Sequence, residues 1–117
     1  MRTDLAYLRN MSGDNNTLIA EMIDIFTSQI GEISEDMQNA LEKQDWENLG
    51  RIAHKAKSSV AIMGMTDLAA ALKELEINAM HGQNKEMYPS IVARFMIECT
   101  EAIEELHNYI LEQQKKQ

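Results

Sequence analysis

The sequence predicts an all-α protein: an antiparallel up-down four-helix bundle with a short extra N-terminal helix. Four long segments carry apolar residues at steps of three and four, the spacing of one buried helix face. Five glycines, one proline and an aromatic content of 5% favour helices over sheet. Because the breaks between segments are short, consecutive helices should be antiparallel neighbours around one core.

The first half of the chain predicts a short helix and two long ones. The sequence MSGDNN, residues 11–16, predicts a turn after a short amphipathic helix over residues 3–10. A long helix should cover residues 17–42, and Asp45 should cap the next helix, which ends at Gly64. The apolar stripes are Met22, Phe26, Ile30, Ile33, Met37 and Leu41 on the first long helix, and Leu49, Ala53, Ala56, Val60 and Met63 on the second.

The second half predicts two further helices. Thr66 or Asp67 should cap the fourth helix, and Gly82 should end it. The last helix should begin near Pro89, a residue favoured in a first helical turn. Without a linker or a repeat, residues 1–117 are predicted to form a single domain. The inward residues are Leu68, Leu72, Leu75 and Ala79, then Ile91, Phe95, Cys99, Ala102, Leu106 and Ile110.

Composition excludes several classes of partner. The formal net charge of −8 argues against nucleic acid, whose binding requires clustered Lys and Arg. No apolar run approaches the ~20 residues of a membrane span. Cys99 is the only cysteine, so an internal disulfide is impossible. The first residues carry charges where a signal peptide needs an apolar stretch, so a cytoplasmic location is expected. A monomer without membrane contact is also expected.

His54 is the candidate functional residue. On a helix with about 100° per residue, it lies roughly 140° from the centre of the apolar stripe and should point into water. Gly50, Lys57, Ser58 and Ala61 are its neighbours on the same side.

These neighbours predict a site that works with a second protein. A neutral imidazole is a good nucleophile near pH 7, and the Lys57 ammonium can pair with negative charge arriving on the ring. Small residues at Gly50 and Ala61 leave clearance for a docking partner, although close packing against another helix would also explain Gly50. If docking occurs elsewhere, the long helix around Leu18 and Ile25 is the alternative face.

No glycine-rich phosphate loop accompanies His54, and no acid–base dyad is expected around it. The predicted site is therefore half of an active site, which a partner would complete.

The stretch AHKAKSSVAIMG, preceded by DW at residues 45–46, resembles the motif A-H-x-L-K-G-S-x-x-x-x-G of the histidine-containing phosphotransfer (HPt) domain. His54 matches the phosphorylated histidine, Lys57 the lysine and Gly64 the closing glycine. Residues 7–26 resemble the family's N-terminal segment. LKELE, ending at Glu76, resembles its fourth-helix pattern.

The resemblance implies that His54 accepts a phosphoryl group from a receiver-domain aspartate and passes it to another receiver. It implies that Lys57 stabilises phosphoryl charge, and that the partners are response-regulator receivers, a hybrid histidine kinase or both. The chain would be a phosphotransfer intermediate without autonomous kinase activity and without a cofactor, since Mg²⁺ belongs to the receiver. Two residues depart from the motif: Ala56 replaces leucine, and Ser58 replaces glycine, adding bulk and a hydroxyl beside the expected phosphoryl position, on the path of an approaching partner.

Two other functions fit a helical bundle. One is a docking scaffold whose His54 is never phosphorylated, although both His54 and Lys57 are retained. The other is the phosphoacceptor domain of a histidine kinase. That family follows its histidine with an acidic residue and soon a proline, whereas Lys55 follows here and no proline occurs before Pro89.

The remaining histidines are interpreted as surface residues. Glu104 and His107 have the Glu-x-x-His spacing of di-iron bundles, but such a site needs a second copy of the motif. His81 is expected near a helix end, where the helix dipole favours it.

Overall fold

Five α-helices and a 3₁₀ turn make up the computed structural model, which describes residues 3–115. No strand occurs within that range, and the predicted all-α bundle with a short N-terminal helix is confirmed. The helices are α1 (Ala6–Ser12), α2 (Asn16–Glu42), α3 (Trp46–Ile62), α4 (Thr66–His81) and α5 (Tyr88–Lys115), with the 3₁₀ turn at Lys85–Met87.

The start of α3 follows the predicted capping chemistry, whereas the helix ends at Ile62, two residues before the predicted Gly64. The Asp45 carboxylate accepts a hydrogen bond of 3.3 Å from the backbone N–H of Asn48, so Asp45 is the N-cap. The following Trp46 packs edge-on against Tyr88, with ring centroids 5.1 Å apart. The DW pair therefore starts the helix and joins it to α5.

The prediction for the N-cap of α4 is wrong by one or two residues. Met65, not Thr66 or Asp67, is the N-cap, and it makes no side-chain capping bond. Met65 is buried, so its apolar contacts fix the helix start. Asp67 lies in the first helical turn, where its negative charge interacts favourably with the helix dipole. Gly82 ends α4 in the left-handed conformation, with φ of 62°, as predicted.

One apolar core runs through the bundle, and it contains nearly all of the predicted stripe residues. Met22, Leu41 and Ile110 are only partly buried, whereas Ile19 and Ile23 are fully buried on α2. The stripe of α2 thus begins one turn earlier than its predicted first member.

The helices differ in length, and the difference explains α1. At about 1.5 Å per residue, α2 and α5 are roughly 40 Å long, and α3 and α4 roughly 25 Å. The Ser59 hydroxyl near the end of α3 donates to the Gln29 side chain, in the middle of α2. The beginning of α2 and the end of α5 therefore project beyond the α3–α4 hairpin. There α1 buries Leu8 and places the Arg9 guanidinium 5.2 Å from the Tyr109 ring.

The N-terminal segment, here residues 3–12, crosses the turn between α3 and α4 at Asp4. The Asp4 backbone N–H donates a 2.9 Å hydrogen bond to the Met63 carbonyl. Gly64, next in the chain, has φ of 75°, and a Cβ there would lie 2.4 Å from the Asp4 carbonyl oxygen. The turn therefore needs a residue without a side chain, both for its conformation and for the crossing.

Candidate functional site

His54 projects from α3 into solvent, as predicted from the helical spacing. Its side chain is 61% exposed, while Ala53 and Ala56 on the opposite face are fully buried. The imidazole is thus accessible to a second macromolecule and is held by a helix that packs on the core.

A carboxylate from the neighbouring helix fixes the orientation of this imidazole. Glu76 of α4 places its Oε2 atom 2.9 Å from His54 Nδ1. A carboxylate only accepts hydrogen bonds, so Nδ1 carries the proton and donates. In the neutral ring the lone pair then lies on Nε2. The prediction that no acid–base partner lies near His54 is wrong.

Lys57 lies beside the same carboxylate. Its Nζ atom is 3.3 Å from Glu76 Oε1 and 3.5 Å from His54 Nδ1. The lysine side chain is only 26% exposed and that of Glu76 only 19% exposed. The ammonium therefore lies between α3 and α4 in an ion pair with Glu76. His54, Lys57 and Glu76 form one cluster, called the imidazole cluster below.

Glu76 is not among the site residues that the sequence predicts, although it carries a signal. It follows Leu72 by one helical turn and lies about 70° from the centre of the stripe on its helix. An acidic side chain at the edge of an apolar stripe lies against the adjacent helix and needs a partner there. Identifying His54 as that partner also requires the register of α3 against α4.

Gly50 is buried, and packing explains it. A Cβ at this position would lie 3.2 Å from Met80 Cγ and 3.3 Å from the Glu76 carbonyl oxygen. The absence of a side chain thus lets α3 and α4 approach closely at the turn that carries Glu76. Gly50 also lines a groove of about 420 Å³ beside His54, so a docking role at its rim stays a prediction.

We expect Gly50→Gln to lower stability by about 1 kcal/mol, because crowding of α4 exceeds the gain in helix propensity. Ala61→Gln is the matched control. Ala61 is exposed on the same helix, so this substitution should change the stability by no more than about 0.5 kcal/mol. Thermal denaturation of both variants measures the difference. A Gly50→Gln protein as stable as wild type would show that packing is not the reason for glycine.

The other predicted docking residues are accessible. Ser58 is exposed, and its hydroxyl donates a 3.4 Å hydrogen bond to the His54 carbonyl, one turn earlier. Ala61 is exposed one turn further along α3. Both lie where a partner approaching the imidazole would pass, and their docking role stays a prediction.

The remaining candidate groups lie apart from the imidazole cluster. His81, Glu104 and His107 are exposed. Within residues 3–115, no group of three or more His, Cys, Asp or Glu side chains could hold a metal ion. Burial raises the pKa of the Cys99 thiol to about 12, with a smaller contribution from Glu98, so Cys99 is an apolar packing group.

Comparison with known proteins identifies the family of this chain. The model of the Hpt domain matches residues 21–113, which include α3, α4 and the whole imidazole cluster. Neither the curated proteins nor the solved structures give a significant match. None of the helices in the described range has the length and apolar character needed to span a membrane. Hpt domains carry out histidine phosphotransfer in phosphorelays and interact there with receiver domains. With 93 of its residues matched, the chain belongs to the Hpt domain family.

Proposed function

We propose that this chain carries phosphoryl groups between two receiver domains, with His54 Nε2 as the acceptor atom. The observation that carries the proposal is the Glu76 contact at Nδ1 of an imidazole that is 61% exposed. Because that contact occupies Nδ1 with its proton, the free lone pair is on Nε2. Only this nitrogen is available to a group arriving from solvent.

The transfer requires no proton movement at the attacking atom. The Nε2 lone pair attacks the phosphorus of an aspartyl phosphate on the receiver, and an N–P bond forms. The P–O bond to the aspartate breaks, and its electron pair leaves with the carboxylate. The ring becomes a phosphoimidazolium that keeps the Nδ1 proton. The positive charge of this ring lies against the Glu76 carboxylate. The reverse sequence on a second receiver returns neutral imidazole.

Any metal chemistry would belong to the partner. The acidic pocket of the receiver would hold Mg²⁺, and the bound ion would supply positive charge against the transferring phosphoryl group. This chain supplies the nucleophile, its orientation and a surface on which the receiver docks.

The docking surface that we propose is an apolar groove between α2 and α3. It has a volume of about 160 Å³, and Ile25 and Ile62 at its edge are 56% and 37% exposed. Ile62 lies about 12 Å along α3 from His54, well inside the footprint of a protein interface of ~800 Å² per partner. A receiver seated on His54 would cover it. The lining residues are Met22, Ile25, Phe26, Gln29, Ser59, Ile62 and Met63.

We expect Ile25→Glu and Ile62→Glu each to slow transfer about tenfold or more at limiting receiver concentration, because a charge is desolvated in the docked complex. Ile97→Glu is the matched control, since Ile97 is 58% exposed on α5 and lies outside the groove. Transfer rates as a function of receiver concentration measure the effect. Equal rates for all three variants would place docking on another face.

A panel of phosphorylated receivers tests the function itself. Purified receivers labelled with ³²P are incubated with this chain, and gel autoradiography follows the label. At least one receiver should lose its label to this chain within minutes, in acid-labile form. A chain that takes no label from any receiver but binds them would favour the docking scaffold.

A further inference from the structure

The two helices that border the docking groove carry opposite charge. α2 has six acidic residues and no basic one, whereas α3 has three basic residues and one acidic residue. The chain as a whole is acidic, with a formal net charge of −8, so the positive charge of α3 departs from the overall composition. A protein that covers His54 meets both helices and must match both signs of charge.

Arg51 and Lys55 lie on the side of His54 that faces α2. At about 100° per residue, their directions around α3 differ from that of His54 by roughly 60° and 100°, and the direction of Ile62, which lines the groove, lies between them. Lys57 turns the opposite way, to its ion pair on α4. Both Arg51 and Lys55 are exposed, and these two residues are called the basic row below.

Glu32 and Asp36 of α2, called the acidic pair below, lie beside the basic row. They follow Ile25, which lines the groove, by about two and three helical turns, so both leave α2 within roughly 20° of its direction. Because the Ser59 hydroxyl donates to the Gln29 side chain and the helices are antiparallel, the acidic pair lies within about one helical turn of the basic row along the bundle. Both acidic side chains are exposed.

A receiver docked on His54 would cover the basic row and the acidic pair together. The axes of packed helices are about 8–10 Å apart, and an interface of ~800 Å² per partner extends roughly 16 Å from its centre. The basic row attracts the negative phosphoryl group of an arriving aspartyl phosphate. The acidic pair repels that group and loses hydration in the complex, unless the receiver places positive charge opposite it.

We propose that the basic row and the acidic pair select the receiver. The receiver that fits has its phosphorylated aspartate over α3 and at least one Lys or Arg opposite the acidic pair, about one helix spacing away. A receiver with an acidic or apolar surface at that place leaves the acidic pair uncompensated in the interface and is rejected. This inference rests on the proposed function and specifies the chemistry of its partner.

Charge reversal tests the acidic pair. Association is measured by surface plasmon resonance with a receiver from the panel that binds this chain. Relative to wild type, Glu32→Lys/Asp36→Lys should lower the association rate constant about tenfold at low ionic strength. The loss should shrink to less than about twofold in about 1 M salt, where the Debye length is only about 3 Å.

The matched control for this variant makes the same change in net charge elsewhere. Glu104→Lys/Glu112→Lys alters exposed residues of α5, a helix that packs against α2 and α4, and should stay within about twofold of wild type. Unchanged or faster association in Glu32→Lys/Asp36→Lys would overturn the proposal. Equal losses in the two variants would assign the effect to net charge and would also overturn it.

The basic row is tested in the same way. Arg51→Glu/Lys55→Glu should slow association about tenfold, with the same dependence on salt. Lys85→Glu/Lys115→Glu, which changes exposed lysines at the two ends of α5, is its control. Equal association for these two variants would remove the basic row from the proposal. Circular dichroism on all variants verifies that each is folded.

A charge swap tests the partner. Exposed Lys and Arg residues of the receiver are replaced by Glu one at a time, and at least one replacement should restore association with Glu32→Lys/Asp36→Lys at least threefold. If no replacement restores it, the proposed Lys or Arg opposite the acidic pair does not exist.

The outcomes separate this inference from the proposed function. A receiver that binds with these charge dependences but transfers no label would overturn the phosphotransfer role and leave the selection surface standing. A receiver that transfers label at rates insensitive to all four charges would leave the phosphotransfer role standing and overturn the selection. If no receiver of the panel binds, both proposals fail.

Discussion

His54→Gln should abolish phosphoryl uptake from every receiver. The glutamine amide nitrogen has no free lone pair comparable to that of Nε2, so no N–P bond forms. The bundle should remain intact, because His54 is exposed and substitutions at such positions usually change stability by no more than about 0.5 kcal/mol. Label on the protein after incubation with a phosphorylated receiver measures uptake, and thermal denaturation measures stability.

The controls for this experiment are the other two histidines. His81→Gln and His107→Gln change exposed imidazoles that lie outside the imidazole cluster, so both variants should take label like wild type. Label retained by His54→Gln at the wild-type level would assign phosphorylation to another residue. Loss of label in all three variants together would indicate a folding defect.

Gly64→Ala should lower the free energy of unfolding by about 2–4 kcal/mol. A φ of 75° costs a residue with a Cβ about 1 kcal/mol, and collision with a packed neighbour typically costs a further 1–3 kcal/mol. The collision is severe because the atoms in the way are the Asp4 backbone oxygen and nitrogen and the Asp4 Cβ, 2.4–2.7 Å from the added Cβ. For a domain of this size the melting temperature should fall by roughly 10 °C.

Gly13→Ala separates the two contributions. Gly13 has φ of 64°, close to that of Gly64, but a Cβ there would meet no atom within 4 Å. The free energy of unfolding of Gly13→Ala should therefore fall only by the conformational cost, about 1 kcal/mol. Equal losses for the two variants would mean that the crossing of the N-terminal segment contributes nothing at Gly64.

The arrangement of helices was predictable because it depends on local and periodic signals. Apolar spacing set the buried faces, and Asp45 and Gly82 marked helix ends through their own chemistry. The start of α4 was not predictable in this way, because the burial of Met65, a tertiary effect, determines where that helix begins. The crossing of the N-terminal segment at Gly64 was also not predictable, because the residues in contact there are far apart in sequence.

The site was predictable on one helix and not between two. The direction of His54 follows from α3 alone. The Glu76 contact, the ion pair of Lys57 and the burial of Gly50 all depend on how α3 lies against α4. Helical spacing within one segment contains no information on that register, so the sequence did not identify Glu76 as a site residue and left the reason for Gly50 open between clearance and packing.

The crossing of residues near Asp4 over the α3–α4 turn bears on the order of folding. Helix hairpins form early, since their contacts are close in sequence and little chain entropy is lost in closing them. The contacts of the N-terminal segment are distant: Arg9 and Tyr109, which are hydrogen-bonded, lie 100 residues apart. We therefore expect the N-terminal segment to dock after the rate-limiting step. Interactions made after that step slow unfolding and leave the folding rate unchanged. By slowing unfolding, the N-terminal segment would then prolong the lifetime of the folded bundle.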